Sequence, residues 1–143
     1  PNGFIWPLNG SNYTITSTFH DPDYPFRHLF EHPAVDIRSS FRSSVKAAAS
    51  GYVARVKLEG TSYGYIMLVH GDGMSTVYGH VNESYVQEEE YVTQGQTIGL
   101  SGGLPGTRGA GYLTTGPHLH FEIRNNGIPV NPLEYLPNSY SVM

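Results

Sequence analysis

The stretch Gly116-Pro117-His118-Leu119-His120-Phe121-Glu122 constrains this chain more than any other part of it. A strand sends successive side chains to opposite faces, so an extended run here puts His118, His120 and Glu122 on one face and Leu119 and Phe121 on the other. One face is fit for a core, and the other delivers two imidazoles side by side. Pro117 suits the first residue of a strand and is awkward in its middle, while Gly116 relaxes the chain entering it. That fixes where the strand begins.

The rest of the chain supplies partners for such a strand. Seventeen glycines, ten prolines and eleven tyrosines suit short strands joined by tight turns better than long helices. Strands are expected over residues 13–19, 35–38, 45–50, 51–58, 65–70, 74–80, 96–101, 118–124 and 128–131. The clearest hairpin joins 65–70 to 74–80, where Gly71-Asp72-Gly73 supplies the positive φ angles of a tight turn. A second hairpin is marked by Asn125-Asn126-Gly127. Residues 81–90 are expected to form a short helical turn or an acidic loop, and residues 132–143 a docked or frayed tail. The fold class is therefore mainly β, a largely antiparallel sheet or sandwich-like domain. No repeat, heptad or linker divides it, so residues 1–143 form one domain with its core at about 13–136.

Composition excludes several functions. A formal charge of −4 with scattered basic residues gives no footprint for nucleic acid, and no apolar run is long enough to span a bilayer. Zero cysteines rule out disulfides and thiolate ligation, leaving His, Asp and Glu as the protein ligands for a metal. No charged leader or apolar signal core precedes the first strand, so no secretory address is legible.

A second constellation lies upstream. In Glu31-His32-Pro33-Ala34-Val35-Asp36-Ile37, Pro33 argues against a helix through His32, and an extended chain places His32 and Asp36 on one face. Adding His120 gives a His, Asp, His set of the kind that holds a catalytic zinc with the fourth position open to water. The corresponding chemistry is metal-assisted hydrolysis. The chain has no H-E-x-x-H helix, so it lacks the glutamate base of that class of peptidase.

These residues resemble the zinc peptidases of the lysostaphin and LytM type, the M23 family, whose signature is H-x-x-x-D followed much later by H-x-H. The resemblance covers most of the chain, from about Ile15 through Tyr135. It includes Ala47-Ala48-Ala49-Ser50-Gly51, Tyr78-Gly79-His80, Gly95-Gln96-Thr97-Ile98-Gly99 and Thr115 through Glu122. It implies that His32, Asp36 and His120 are the zinc ligands and that His80 and His118 are the catalytic histidines. It also implies an antiparallel sheet with a substrate groove bordered by loops, for which residues 20–31 and 102–115 are the candidate walls. The implied activity is zinc-dependent endopeptidase cleavage of peptidoglycan peptides outside the cytoplasm, by a chain expected to be a monomer.

A non-catalytic module of the same fold, binding cell wall or activating another hydrolase, is the alternative. A biotinyl or lipoyl carrier is a weaker one, because Lys46 and Lys57 are the only lysines and the metal set would go unexplained. His70 reads as a surface or partly buried imidazole, and His20 and His28 as structural or solvated. Glu122 reads as an acceptor supporting a metal ligand, or as an exposed strand glutamate or one in an internal ion pair.

Overall fold

The computed structural model describes residues 3–143. It contains β1 (Tyr13–Ser17), β2 (Val35–Arg38), β3 (Ser44–Lys46), β4 (Gly51–Lys57), β5 (Tyr65–Gly71), β6 (Met74–Gly79), β7 (Glu83–Ser84), β8 (Tyr91–Val92), β9 (Thr97–Leu100), β10 (His118–Asn125), β11 (Ile128–Val130) and β12 (Tyr140–Val142). A short 3-10 turn covers Pro132–Glu134. Nine strands form the main sheet in the order β12-β1-β2-β10-β6-β5-β4-β8, with β11 also paired to β10. A second sheet runs β3-β9-β7. Every pairing is antiparallel except β1 with β12. The mainly β, antiparallel class read from the sequence is the class observed.

The two sheets share one core, with Val45 and Ile98 of the small sheet in the same cluster as Ile15, Ile37, Ile66, Leu68, Tyr78, Leu119, Phe121 and Ile123 of the large one. Leu119, Phe121 and Ile123 are fully buried. Burial of side chains this size stabilises the fold by about 1.5–3 kcal/mol each. A one-residue slip of β10 would bring the histidine face inward and turn these three to water, so the core holds the register.

Both turn readings match the backbone. Gly71, Asp72 and Gly73 have φ of 98°, 54° and 77°, and Asn126 and Gly127 have φ of 51° and 81°. One expectation is revised, and two that held alternatives are narrowed. Residues 45–50 do not form one strand: after β3 the backbone of Ala47 bonds Gln96 and Gly95, and the Ala48 N–H donates to the Tyr78 hydroxyl. Residues 81–90 contain no helical turn, because Asn82 and Tyr85 donate to Leu100 and Ile98 and so edge the second sheet. The tail is docked, with Tyr140, Ser141 and Val142 paired in parallel to Tyr13, Thr14 and Ile15.

The amino-terminal segment is also docked. Phe4 and Trp6 are buried, and the Trp6 indole stacks on Tyr13 at 4.4 Å while donating to the Pro137 carbonyl.

Candidate functional site

Strand register assembles the site. On β10, His120 lies opposite Asp36 of β2 on one side and opposite Gly79 of β6 on the other, so three strands meet at one point. His32 reaches it from the segment before β2, and His80 from the residue after β6. The five residues singled out in the sequence all line one cleft of about 310 Å³.

Each histidine is oriented by a second bond. Carbonyls and carboxylates only accept, so a nitrogen hydrogen-bonded to one carries the proton. His32 Nδ1 donates to the Thr18 carbonyl at 2.8 Å, His118 Nδ1 to the Gly116 carbonyl at 2.7 Å and His80 Nδ1 to the Ala110 carbonyl at 2.8 Å. These three rings therefore present Nε2 as a lone pair. His120 is reversed, its Nε2 donating to Glu122 Oε2 at 2.7 Å and its Nδ1 presented to Asp36. Glu122 is in turn held at Oε1 by Arg124, with Nε at 2.9 Å and Nη2 at 2.7 Å. Glu122 thus makes both the bond to His120 and the internal ion pair considered for it, and it is not an exposed glutamate.

The arrangement demands a positive charge. Asp36 Oδ1 lies 3.2 Å from His32 Nε2, 3.3 Å from His120 Nδ1 and 3.7 Å from His118 Nε2. None of these contacts is a hydrogen bond in geometry, and Oδ1 is the one buried side-chain polar atom without a bonding partner among the described residues. The ligand atoms of His32, Asp36 and His120 all lie within 4.8 Å of one another. Two imidazole lone pairs and a carboxylate oxygen facing each other in a buried setting would repel unless a cation joined them. The donor set fits a divalent metal of the zinc type, so these three residues form a group that could hold one.

Electrostatics agrees. Burial works against the charge on Asp36, but the His120 and His32 rings outweigh it and hold the carboxyl well below the usual carboxylate range. Burial also opposes a charge on His120, yet Asp36 and Glu122 push it up to about 9. Without a metal this cluster takes up a proton instead. His80 goes the other way, pulled down to about 3 by burial and by the neighbouring His118 and His120, so it is neutral near pH 7. Its backbone is unusual as well, with φ of 61°, a left-handed conformation uncommon for a residue with a Cβ.

The cleft walls come from the two segments expected to supply them. Tyr24 and Phe30 belong to residues 20–31, and Gly111, Tyr112 and Leu113 to residues 102–115. Tyr24 packs on His32 with ring centres 4.5 Å apart. Tyr63, which the sequence reading did not single out, packs edge-on against both His80 and His120. Its ring lies over Gly79, where even a methyl group would fall 2.2 Å from the Tyr63 hydroxyl. Burial, then Glu122 and Asp36, push that phenol well above its usual range, so it stays protonated. Its signal was the bare Gly79 beside the histidine, which leaves room for a ring from elsewhere.

The other histidines stay out of the cleft lining. His70 is half-buried and bonds the Ser50 carbonyl and the Thr76 hydroxyl, while His20 stacks on Phe19 and His28 is exposed.

The fold and the site together define a metallopeptidase-type domain. The family model for Peptidase family M23 matches residues 30–132, and the chain belongs to that family. An uncharacterized metalloprotease of Haemophilus influenzae is 40% identical over 114 residues, covering 78% of this chain and 22% of that protein. The DD-carboxypeptidase/endopeptidase Mpg of Neisseria meningitidis is 32% identical over 120 residues, 83% of this chain and 26% of its own length. The murein hydrolase activator NlpD of Salmonella typhimurium is 34% identical over 104 residues, 72% of this chain and 26% of its own. The chain thus spans about a quarter of the curated relatives it matches. Among solved structures, a zinc containing peptidase from Vibrio cholerae superposes with a TM-score of 0.79 at 28% identity, covering 95% of this chain and 41% of that one.

Proposed function

We propose that this chain is a zinc-dependent endopeptidase domain that hydrolyses peptide bonds in peptidoglycan, acting outside the cytoplasm. His32, Asp36 and His120 would hold the metal, and His80 and His118 would be the catalytic histidines. The observation that carries the reading is the unpartnered buried Asp36 Oδ1 facing the lone pairs of His32 and His120. Zinc there would supply a Lewis acid that polarises the scissile carbonyl and acidifies the attacking water, whose pKa falls from about 16 to about 7.

The chain's own groups handle the proton. His118 and His80 have their Nδ1 protons tied to carbonyls, so each offers Nε2 as an acceptor without changing tautomer. A base as weak as buried His80 becomes a strong acid once protonated, suited to passing the proton to the leaving amine. Their rings sit 4.7 Å apart, centre to centre, close enough to serve one reacting group.

Endopeptidase rather than carboxypeptidase action is supported by the lining of the cleft, which contains aromatic rings, histidines and two carboxylates but no lysine or arginine. A free carboxylate next to the scissile bond would meet no cation from the protein there. The relationship to NlpD favours a second reading, a module that activates another hydrolase through the same cleft.

One set of measurements separates them. Zinc content is determined on the purified chain, which is then stripped with a chelator and reloaded, and purified peptidoglycan is digested and the products identified by mass spectrometry. Metal-dependent release of new amino termini supports the endopeptidase. Full activity in metal-free protein overturns it, and bound zinc with no cleavage favours the activator.

A further inference from the structure

The face of β10 that carries the histidines does not end at Glu122. Strand alternation puts Arg124 on it too, and register sets Val77 of β6 opposite Glu122 and Met67 of β5 opposite Val77. Tyr65 lies opposite Gly79 in the same way. These side chains line a groove of about 210 Å³ with Tyr63 as a further wall. Tyr63 and Glu122 border both this groove and the cleft of the histidines, so the two are neighbours along one surface.

The polar groups of this groove are partly committed. Glu122 uses Oε2 on His120 and Oε1 on Arg124. Arg124 uses Nε and Nη2 on Glu122, its side chain is 33% exposed, and its Nη1 has no partner among the described residues. The Tyr63 hydroxyl likewise makes no hydrogen bond within the described residues, and a phenol O–H can donate to an anion. The groove therefore offers two free donors, Arg124 Nη1 and the Tyr63 hydroxyl, over a floor of Tyr65, Met67 and Val77, and both oxygens of its one carboxylate, Glu122, are already bonded.

We infer that this groove is an anion subsite that binds a carboxylate carried by the peptide substrate, recognised by Arg124 Nη1 with the Tyr63 hydroxyl. The assignment rests on the proposed peptidase reading for what occupies the cleft. His120 Nε2 bonds Glu122 Oε2 at 2.7 Å and Arg124 Nη2 bonds Glu122 Oε1 at 2.7 Å, so the guanidinium lies about two strand residues, roughly 7 Å, from the His120 ring. An extended peptide covers about 3.4 Å per residue, which places the carboxylate at least about two residues from the bond cut. That spacing is too long for the terminal carboxylate of a carboxypeptidase substrate and suits an acidic branch or side chain within a longer peptide.

The probes are hexa-alanine peptides with both ends capped, carrying one glutamate stepped along the sequence, each compared with its glutamine twin. Binding to the zinc-loaded chain is measured by calorimetry and cleavage by mass spectrometry. We expect the glutamate peptide to bind about tenfold tighter at one position and to lose that advantage in Arg124→Gln. Arg124→Lys should keep part of it, since the charge remains but the planar fork is lost. Tyr63→Phe should lower affinity for the glutamate peptide more than for its glutamine twin. Zinc content of each variant is measured alongside, because Arg124 also holds Glu122.

Equal binding of every glutamate and glutamine pair overturns the subsite. So does equal loss of both twins in Arg124→Gln, which would mean that Arg124 acts only through Glu122 and the metal site. Absence of hydrolysis of any peptide or wall by the parent protein counts against the endopeptidase reading, while the binding comparison still decides the subsite.

Discussion

His80 should trade stability for activity, and the trade is measurable. Its φ of 61° puts a side-chain-bearing residue in the left-handed region, where an L-residue is strained by about 1–2 kcal/mol. Replacing it with alanine removes the imidazole and its bond to the Ala110 carbonyl but keeps the Cβ and the strain. Glycine removes the same groups and the strain as well. Part of that relief is offset by the greater freedom of glycine in the unfolded chain, about 0.5–1 kcal/mol. His80→Gly should therefore exceed His80→Ala in stability by about 1 kcal/mol. For a chain of 143 residues that is roughly 3 °C in Tm. Chelated protein should be used, so that metal binding does not enter, with urea and thermal unfolding followed by circular dichroism. Both variants should lose about 10²- to 10⁴-fold in turnover when zinc is restored. If the glycine variant is no more stable than the alanine variant, the left-handed backbone is not a source of strain and the reasoning fails. If either keeps full turnover, His80 has no part in the chemistry.

The neighbours on β10 should separate cleanly. His118→Ala should retain zinc and lose turnover by about 10²- to 10⁴-fold, whereas His120→Ala should lose zinc, as measured by metal analysis of each folded variant. Glu122→Gln should weaken zinc affinity about 10- to 100-fold in a chelator competition, because the acceptor that orients His120 is no longer an anion. Gly79→Ala should cut turnover by displacing the Tyr63 ring and pressing on His120, whose Cδ2 would lie 2.9 Å from the new methyl group. Unchanged kinetics in that variant would show that the Tyr63 ring can move away at no cost to the site.

The parts legible in the sequence are those fixed by local rules. Alternation alone put His118, His120 and Glu122 on one face, and positive-φ residues marked both hairpins. His32 and Asp36 were readable because they sit four apart around a proline that bars a helix. Their joining with His120 depends on β2 pairing with β10, across more than eighty residues, so the sequence offers it only through the donor chemistry and the family resemblance. The parallel pairing of β12 with β1 has no local signature, since three residues of tail gain a strand partner only when the whole sheet exists. Residues 45–50 were misread because their backbone bonds go to Gln96, Gly95 and a tyrosine hydroxyl, partners that a strand pattern does not reveal. Arg124 and Tyr63 were passed over because their significance comes from what they touch and not from their type or spacing.

The register of β10 ties two kinds of failure together. Leu119, Phe121 and Ile123 alternate with His118, His120, Glu122 and Arg124, so inserting or deleting one residue in this strand exchanges the core-facing row for the cleft-facing row. No intermediate shift keeps one row and loses the other. Length changes within β10 should therefore yield insoluble chains and not folded, inactive ones, whereas changes around the exposed Tyr112 and Leu113 can vary the cleft wall without touching that phase. A library that diversifies the loop and holds the strand fixed would sample new substrate preferences at little cost in soluble yield.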